Sequence, residues 1–179
     1  MTTRLMYDSV NLKGIPKTIA NNSIIAYYLD GEYAVPSISY VETLFPPSRF
    51  RYNPIDVTAS RADYARTLDV ETGDAVPAQT EQWLREFAAT NPAYPGGGRG
   101  VLYSDVSSLP AIRTGTGPYI LGRDYYIWPA TGDGSVVTPE LLRVKYPEYA
   151  WPDGCVVACQ NIWARTYDSS VVFDAGFLP

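Results

Sequence analysis

Residues 65–74 constrain the fold more than any other stretch, because they predict a short strand that runs directly into a polar turn. Alternate side chains of a strand share a face, so Leu68 and Val70 point to one side of it. Asp69 and Glu71 point to the other side. This pattern predicts a strand that is buried on both sides, with one side where charge is required. Two carboxylates at a strand end are typical of general acid and base chemistry, and an exposed strand edge with solvated acids is the alternative.

Further segments of the chain have the character of short apolar strands. They cover residues 4–10, 24–31, 51–58, 100–105, 125–130, 155–160 and 169–173. Residues 77–90 give the clearest helix, since apolar side chains recur there at helical spacing and Pro77 stands where a first turn tolerates proline. Residues 95–98 are predicted to form a Gly-rich loop, which lacks the Lys-Ser/Thr ending of a phosphate-binding loop.

The alternation of short strands with helices or helix-length connections favours a largely parallel sheet covered by helices. About eight such strands favour closure of the sheet into a barrel. The chain has 179 residues, whereas barrels of this kind usually run to about 250 residues. We therefore predict an α/β fold with a single domain over residues 1–179. It would be a (β/α)8-type TIM barrel, shortened, with some helices reduced or missing.

Histidine is absent from the sequence, which excludes Ser-His-Asp and Cys-His catalysis and most zinc sites. Any catalysis must then rest on carboxylates, tyrosine or lysine. On one strand, Cys155 and Cys159 would lie roughly 13 Å apart, at about 3.3 Å per residue, which is too far for a disulfide. We predict that both are free core residues. Without clustering of the metal-binding type, neither a metal ion nor a cofactor is expected.

The charge balance limits the partners. The formal net charge is −5, which argues against nucleic acid and anionic membranes, because an acidic surface attracts neither. No run of about 18 apolar residues occurs, so no membrane span is expected. Residues 1–7 lack a basic-then-apolar pattern, so we expect no signal peptide. The 15 tyrosines and four tryptophans fit a carbohydrate or peptide-like ligand, because flat rings stack on sugar faces, with core packing as the alternative for most of them.

In a parallel barrel the functional site lies at the carboxyl ends of the strands. Polar and aromatic side chains gather at or near the ends of the predicted strands. They are Asp8, Asp30, Asp69, Glu71, Tyr103, Trp128, Gln160 and Asp168. Packing alone does not explain such residues on so many separate strands, so we expect one acidic cleft with aromatic walls. Repulsion between neighbouring carboxylates would raise the pKa of at least one of them, as an acid catalyst requires.

Several segments, in order along the chain, resemble the family-25 glycoside hydrolases. These are the lysozyme-type muramidases, and related short glycoside-hydrolase-like domains occur in actinobacteria and their phages. The matching segments are residues 6–9, 26–31, 68–71, 101–104, 127–130, 158–161 and 167–171. The most specific part of the match is the Asp-Xaa-Glu motif on the fourth predicted strand, together with an aspartate on the first strand and another on the last.

The resemblance implies a barrel enzyme that cleaves the glycan strand of peptidoglycan after N-acetylmuramic acid and uses no cofactor. Glu71 would be the proton donor, and Asp69 would act on the developing positive charge or orient the acetamido group. Asp8 and Asp168 would tune this pair and hold the sugar. Both inverting and retaining outcomes stay open, because the two acids share one strand. The substrate-binding residues would be Asp30, Tyr103, Trp128 and Gln160.

The resemblance also suggests where the protein acts. We expect action at the bacterial cell wall, either on a phage virion or after release from a phage-infected cell. The main alternative is a non-catalytic glycan-binding or structural module of a phage particle, built on the same barrel. An intracellular enzyme for small phosphorylated substrates is disfavoured, because an acidic cleft repels phosphate.

Overall fold

The computed structural model describes residues 4–92 and 98–173 of the chain. Residues 95–97 of the predicted Gly-rich loop lie outside these ranges. Eight strands pair in sequence order and close into a barrel. They are β1 (Arg4–Asp8), β2 (Ile24–Tyr28), β3 (Arg51–Asp56), β4 (Thr67–Asp69), β5 (Val101–Asp105), β6 (Tyr126–Ala130), β7 (Ala158–Trp163) and β8 (Asp168–Val172). Cys155 and Cys159 are both free and buried, as predicted.

The helices are short. They are α1 (Ile38–Leu44), α2 (Thr80–Thr90), α3 (Leu109–Gly115) and α4 (Pro139–Lys145). The helix predicted over residues 77–90 is confirmed as a 3-10 turn at Pro77–Gln79 that continues into α2. In the connections β1–β2 and β3–β4, which are described throughout, no α-helix forms. Among the helices of the described ranges, none is long and apolar enough to cross a membrane.

The predicted (β/α)8-type TIM barrel is therefore wrong, and the direction of β8 is the second reason. Each neighbouring pair from β1 to β7 is parallel, but β8 is antiparallel to both β1 and β7. A parallel pair needs a crossover of a dozen or more residues, whereas only residues 164–167 connect β7 to β8. The connection is a hairpin, and the molecule is a closed mixed β-barrel with only short helices.

The alternation of side chains along the strands separates an outer layer from the barrel interior. Leu68 and Leu102 face outward and belong to the core that also contains Trp83 and Phe87 of α2. The rings of Trp83 and Phe87 stack with their centroids 5.2 Å apart. In addition, the indole N–H of Trp83 donates to Asp56 Oδ2 at 2.9 Å. The longest helix is thereby fixed to strands β3, β4 and β5.

Side chains fill the lower part of the barrel interior, so the barrel is not an open channel. Thr67 Oγ1 donates to Asn53 Oδ1 at 3.0 Å, and both residues are fully buried. Above them, Trp128 Nε1 donates to Ser170 Oγ at 3.0 Å. The ring centroid of Trp128 lies 4.6 Å from that of Tyr103. This packed layer forms the floor below the opening at one end of the barrel.

Candidate active site

A cavity of about 450 Å³ opens at the end of the barrel where the parallel strands finish. This volume is within the range of small-molecule sites in proteins. Strand β8 reaches the same end with its first residue, because it runs in the opposite direction. Asp168 at the start of β8 is the pairing partner of Asp8 at the end of β1. The hairpin therefore brings the last aspartate to the same rim as the first one.

The structure brings most of the predicted site residues together around this cavity. Its lining includes Asp8, Asp30, Asp69, Glu71, Tyr103, Gln160 and Asp168. Trp128 does not line the cavity, so its prediction as a substrate-binding residue is wrong. That side chain is only 1% exposed, because it lies under Tyr103 and bonds to Ser170 inside the barrel.

Trp163 lines the cavity instead, and sequence reasoning missed it. The cause is an irregularity in the β7–β8 pairing, in which Gln160 faces Ser170 but Ile162 faces Ser169. An extra residue in one strand reverses the alternation of side chains that follows. Trp163 therefore pairs with Asp168, on the same face as Gln160. The local sequence does not predict such a bulge. Because the predicted strand ends at Gln160, Trp163 was not expected to line the cavity.

The two most deeply buried carboxyl groups in the cavity are those of Asp8 and Asp69, which are 5% and 4% exposed. Burial raises the pKa of Asp8 to about 7, and the charges of Asp168 and Glu71 add to this effect. Burial also raises the pKa of Asp69 well above its usual value, with Glu71 as the next cause. The Oδ1 atoms of Asp8 and Asp69 have no hydrogen-bond partner in the described part of the chain. Two buried acceptors in the wall of the cavity are thus unsatisfied within the described ranges.

Glu71 is more accessible than these aspartates, since it is half-buried just beyond the end of β4. Burial raises its pKa to about 7, and the nearby charge of Asp105 is the second cause. Asp105 accepts hydrogen bonds from the backbone amides of Ser107 and Ser108, at 2.8 and 3.2 Å, and from both serine hydroxyls. Burial raises the pKa of Asp105, but these bonds outweigh it and the pKa is lowered. Asp105 is therefore a fixed anion beside Glu71 that raises the pKa of Glu71, and the sequence did not predict this role.

Asp30 and Asp168 are both engaged with the backbone. Asp30 accepts from the Val57 amide at 2.8 Å and also bonds to Thr58 and Ser60, so it orders the loop after β3. Asp168 Oδ1 accepts from the Ala164 amide at 3.1 Å across the hairpin. Burial raises the pKa of Asp168 even though this bond lowers it. Asp30 thus shapes the wall, whereas Asp168 remains a charged neighbour of Asp8.

Aromatic rings and amide groups complete the lining. The pKa of the Tyr103 hydroxyl is raised well above its usual value, first by burial and then by the charge of Glu71. This hydroxyl therefore stays protonated and can donate to a ligand. Gln160 Oε1 is another buried acceptor without a partner within the described ranges. The rings of Tyr33 and Trp163 are exposed at the rim, where a flat ligand face can stack on them.

The charge of the cavity is one-sided. Seven of its lining residues are acidic, and none of the lining residues in the described ranges is lysine or arginine. The same ranges contain no group of three or more histidine, cysteine, aspartate or glutamate residues arranged to hold a metal ion. The arrangement can supply protons, accept hydrogen bonds from hydroxyl and amide groups, and stabilise positive charge.

No protein-family model matches the sequence, and no curated protein matches it. Among solved structures, the chain is similar to an uncharacterized protein from B. stearothermophilus, known from a 1.07 Å crystal structure. The similarity covers 98% of this chain and 100% of that one, with a TM-score of 0.53 and 17% sequence identity. At this level of identity the likeness shows a shared fold and carries no statement about activity.

Proposed function

We propose that the protein is a glycoside hydrolase that cleaves the glycan strands of peptidoglycan, as a lysozyme-type muramidase does. The observation that carries the proposal is the meeting of Asp8, Asp69, Glu71 and Asp168 in one accessible cavity. Two of these groups, Asp8 and Glu71, have a pKa of about 7. Glycosidases need a carboxyl group that still holds its proton near neutral pH and a second carboxyl group beside it.

Glu71 is the proton donor in this proposal. It is the more accessible member of the Asp-Xaa-Glu pair, so the glycosidic oxygen of a bound substrate can reach it. Its pKa of about 7 keeps a large share of the group protonated in mildly acidic solution. The same environment makes transfer of that proton favourable, because the pKa of an effective acid catalyst lies near the working pH.

Asp69 and Asp8 act on the charge that develops in the sugar ring. Glycosidic cleavage passes through a transition state with positive charge on the ring. Burial raises the pKa of both aspartates and the mutual repulsion of the carboxyl groups raises it further, and a nearby positive charge relieves that repulsion. The cluster therefore interacts more strongly with the transition state than with the uncharged substrate, which is the requirement for catalysis.

The substrate class follows from the rest of the lining. An uncharged, hydroxyl-rich sugar can bond to polar side chains that line the cavity, such as Glu71 and Tyr103, and stack on Trp163. A phosphorylated substrate would meet acidic side chains and no basic one in the described lining. Because peptidoglycan is the proposed substrate, the proposal includes action at the bacterial wall, either from a phage particle or after release from an infected cell.

The decisive experiment is the digestion of purified cell walls. We expect soluble fragments with new reducing ends, and mass spectrometry of these products identifies the bond that is cut. Binding of walls without release of reducing ends would instead support the non-catalytic glycan-binding module. The proposal would be wrong if the protein neither bound cell walls of several compositions nor released reducing ends from them.

Substitution of Asp105 should move the pH profile. Activity is expected to fall as the pH rises through about 7, because Glu71 then loses the proton that it must donate. Asp105→Asn removes a negative charge beside Glu71 and lowers the pKa of Glu71, so the alkaline limb of kcat/KM should move to lower pH. Asparagine also caps a helix, so the turn at Ser107 should stay intact. A limb that stays in place would show that Glu71 does not control it.

Substitution of Trp163 should weaken glycan binding. Its side chain is 60% exposed at the rim, and its ring packs over Gly132, where an added Cβ would approach the ring within 2.4 Å. Trp163→Ala removes this platform, and we expect a three- to ten-fold loss of affinity, which corresponds to roughly 0.5–1.5 kcal/mol. Tyr64→Ala, at a comparably exposed ring that does not line the cavity, is the control and should leave the affinity unchanged. Calorimetric titration with soluble glycan fragments measures the affinity of both variants.

A further inference from the structure

Three arginines lie at the end of the barrel opposite the carboxyl cavity. They are Arg4 at the start of β1, Arg51 at the start of β3 and Arg99 just before β5. Each precedes by two residues a side chain that faces the barrel interior, and alternate side chains of a strand share a face. Those interior side chains are Met6, Asn53 and Val101. The three arginines therefore point inward as well, and we call them the arginine layer.

The arginine layer is one level of the side chains that fill the barrel. In an eight-stranded barrel, the inward side chains of alternate strands stack in layers, and β1, β3 and β5 are alternate strands. The next level is joined by a hydrogen bond from Asn53 Nδ2 to Met6 Sδ at 3.5 Å. The guanidinium of Arg99 lies over the ring of Tyr126, 4.3 Å from its centroid, and that ring belongs to the interior core. Arg99 thus turns into the mouth of the barrel.

Two members of the arginine layer keep a charge that no ion pair neutralises. Arg4, which is half-buried, and Arg51, which is exposed, form no ion pair with any residue in 4–92 or 98–173. At the same end of the barrel, Asp124 is held in its own turn by Arg123 at 2.6 Å and by the Ile120 amide at 2.8 Å. Apolar side chains fill the barrel behind the layer, which strengthens the attraction for an anion because the local dielectric is low.

We propose that the arginine layer binds a phosphate group, at a site separate from the carboxyl cavity. Guanidinium groups present planar sets of N–H donors that pair with phosphate oxygens two at a time. A phosphate has oxygens on all sides, so it can face donors from three strands at once, whereas a carboxylate has only two oxygens. The proposal goes beyond the proposed hydrolysis and is measured without any glycan, so the failure of one leaves the other standing.

The size of the arginine layer favours a small phosphate compound over a nucleic acid. Alternate strands are about 10 Å apart, which is twice the spacing of neighbouring strands, so the three side chains form a compact ring. A nucleic-acid backbone is bound along an extended basic groove. The formal net charge of −5 repels a long polyanion beyond the ring. The ligand is therefore free phosphate or a phosphate carried on a small molecule such as a sugar.

Calorimetric titration of the full chain with inorganic phosphate tests this proposal. We expect saturable binding of one phosphate per chain, about ten-fold tighter than the binding of acetate, which brings fewer oxygens and less charge. Glucose 1-phosphate is titrated in parallel, and the tighter of the two phosphates identifies the source of the group. The proposal would be wrong if neither phosphate bound saturably, or if acetate bound as tightly as they do.

Variants of the arginine layer locate the binding. Arg51→Gln should lower the phosphate affinity about five-fold, and Arg4→Gln together with Arg51→Gln should lower it about 20-fold or more. Arg51→Lys keeps the charge without the paired donors and should retain part of the affinity. Arg165→Gln is the matched control, since Arg165 is exposed in the β7–β8 turn at the cavity end. An undiminished affinity in the double variant, or an equal loss in the control, would overturn the proposal.

Discussion

Glu71→Gln is expected to lower the rate of reducing-sugar release from cell walls by roughly 10²–10⁴, the usual contribution of a positioned general acid. The amide has nearly the shape of the carboxylic acid but holds no proton that it can transfer to the leaving oxygen. The substitution also removes a charge that raises the pKa of Asp8 and Asp69, so the fold should tolerate it. Binding of intact glycan should persist, which would place the loss in kcat and leave KM nearly unchanged.

Glu32→Gln is the matched control for this experiment. Glu32 lines the same cavity, but its side chain is exposed at the rim, away from the buried group of carboxyls. The same change of glutamate to glutamine should leave most of the activity there. Undiminished release by the Glu71 variant would remove Glu71 from the mechanism, and an equal loss in both variants would assign the effect to the charge of the cavity as a whole.

The strand pattern of the sequence predicts the site better than it predicts the fold. At residues 68–71 the alternation of apolar and acidic side chains gives the faces correctly, because Leu68 and Val70 lie in the outer core while Asp69 and Glu71 line the cavity. That outcome needs only the local geometry of an extended chain. The closure of eight strands also follows from their number and order, and the structure shows it.

What the sequence did not predict depends on how strands pair. The direction of β8 is set by the length of the β7–β8 turn, and a strand predicted to end at Gln160 leaves that turn too long. The bulge in β7 reverses the face on which Trp163 lies, so strand alternation counted from Gln160 does not place this tryptophan at the wall. The charge of Asp105 raises the pKa of Glu71 because strands β4 and β5 are neighbours in the barrel. No motif within either strand predicts this contact between them.

A carboxyl cluster suited to catalysis should also reduce the stability of the fold. The pKa of Asp8 is raised from 3.8 to about 7 by burial and by neighbouring charges. Between these two values the native chain binds more protons than the unfolded chain, so the free energy of unfolding falls as the pH rises. Above about pH 7 the loss is complete. The proposed catalysis therefore uses a buried carboxyl group at position 8, whereas the stability of the barrel would be greater without one.

Asp8→Asn should accordingly stabilise the protein at pH 8, by about 2–4 kcal/mol, which corresponds to a rise of roughly 5–15 °C in Tm for a chain of this size. The amide keeps the volume of the side chain and carries no charge, so it avoids both the burial of a charge and the repulsion by Asp168 and Glu71. The gain should be largest above pH 7 and vanish below pH 4, where the carboxyl is protonated in both the native and the unfolded chain. Denaturant titrations at both pH values measure the difference.

Asp133→Asn provides the comparison with the opposite sign. The pKa of Asp133 is lowered to about 2, first by its bond to Lys145 and then by Ser135, so its charge stabilises the fold at neutral pH. Removal of that charge should lower Tm or leave it unchanged, and any loss should disappear in strong acid. If Asp8→Asn also lowered Tm at pH 8, the cost attributed to burying the charge of Asp8 beside Asp168 and Glu71 would be absent, and with it the cause of its raised pKa.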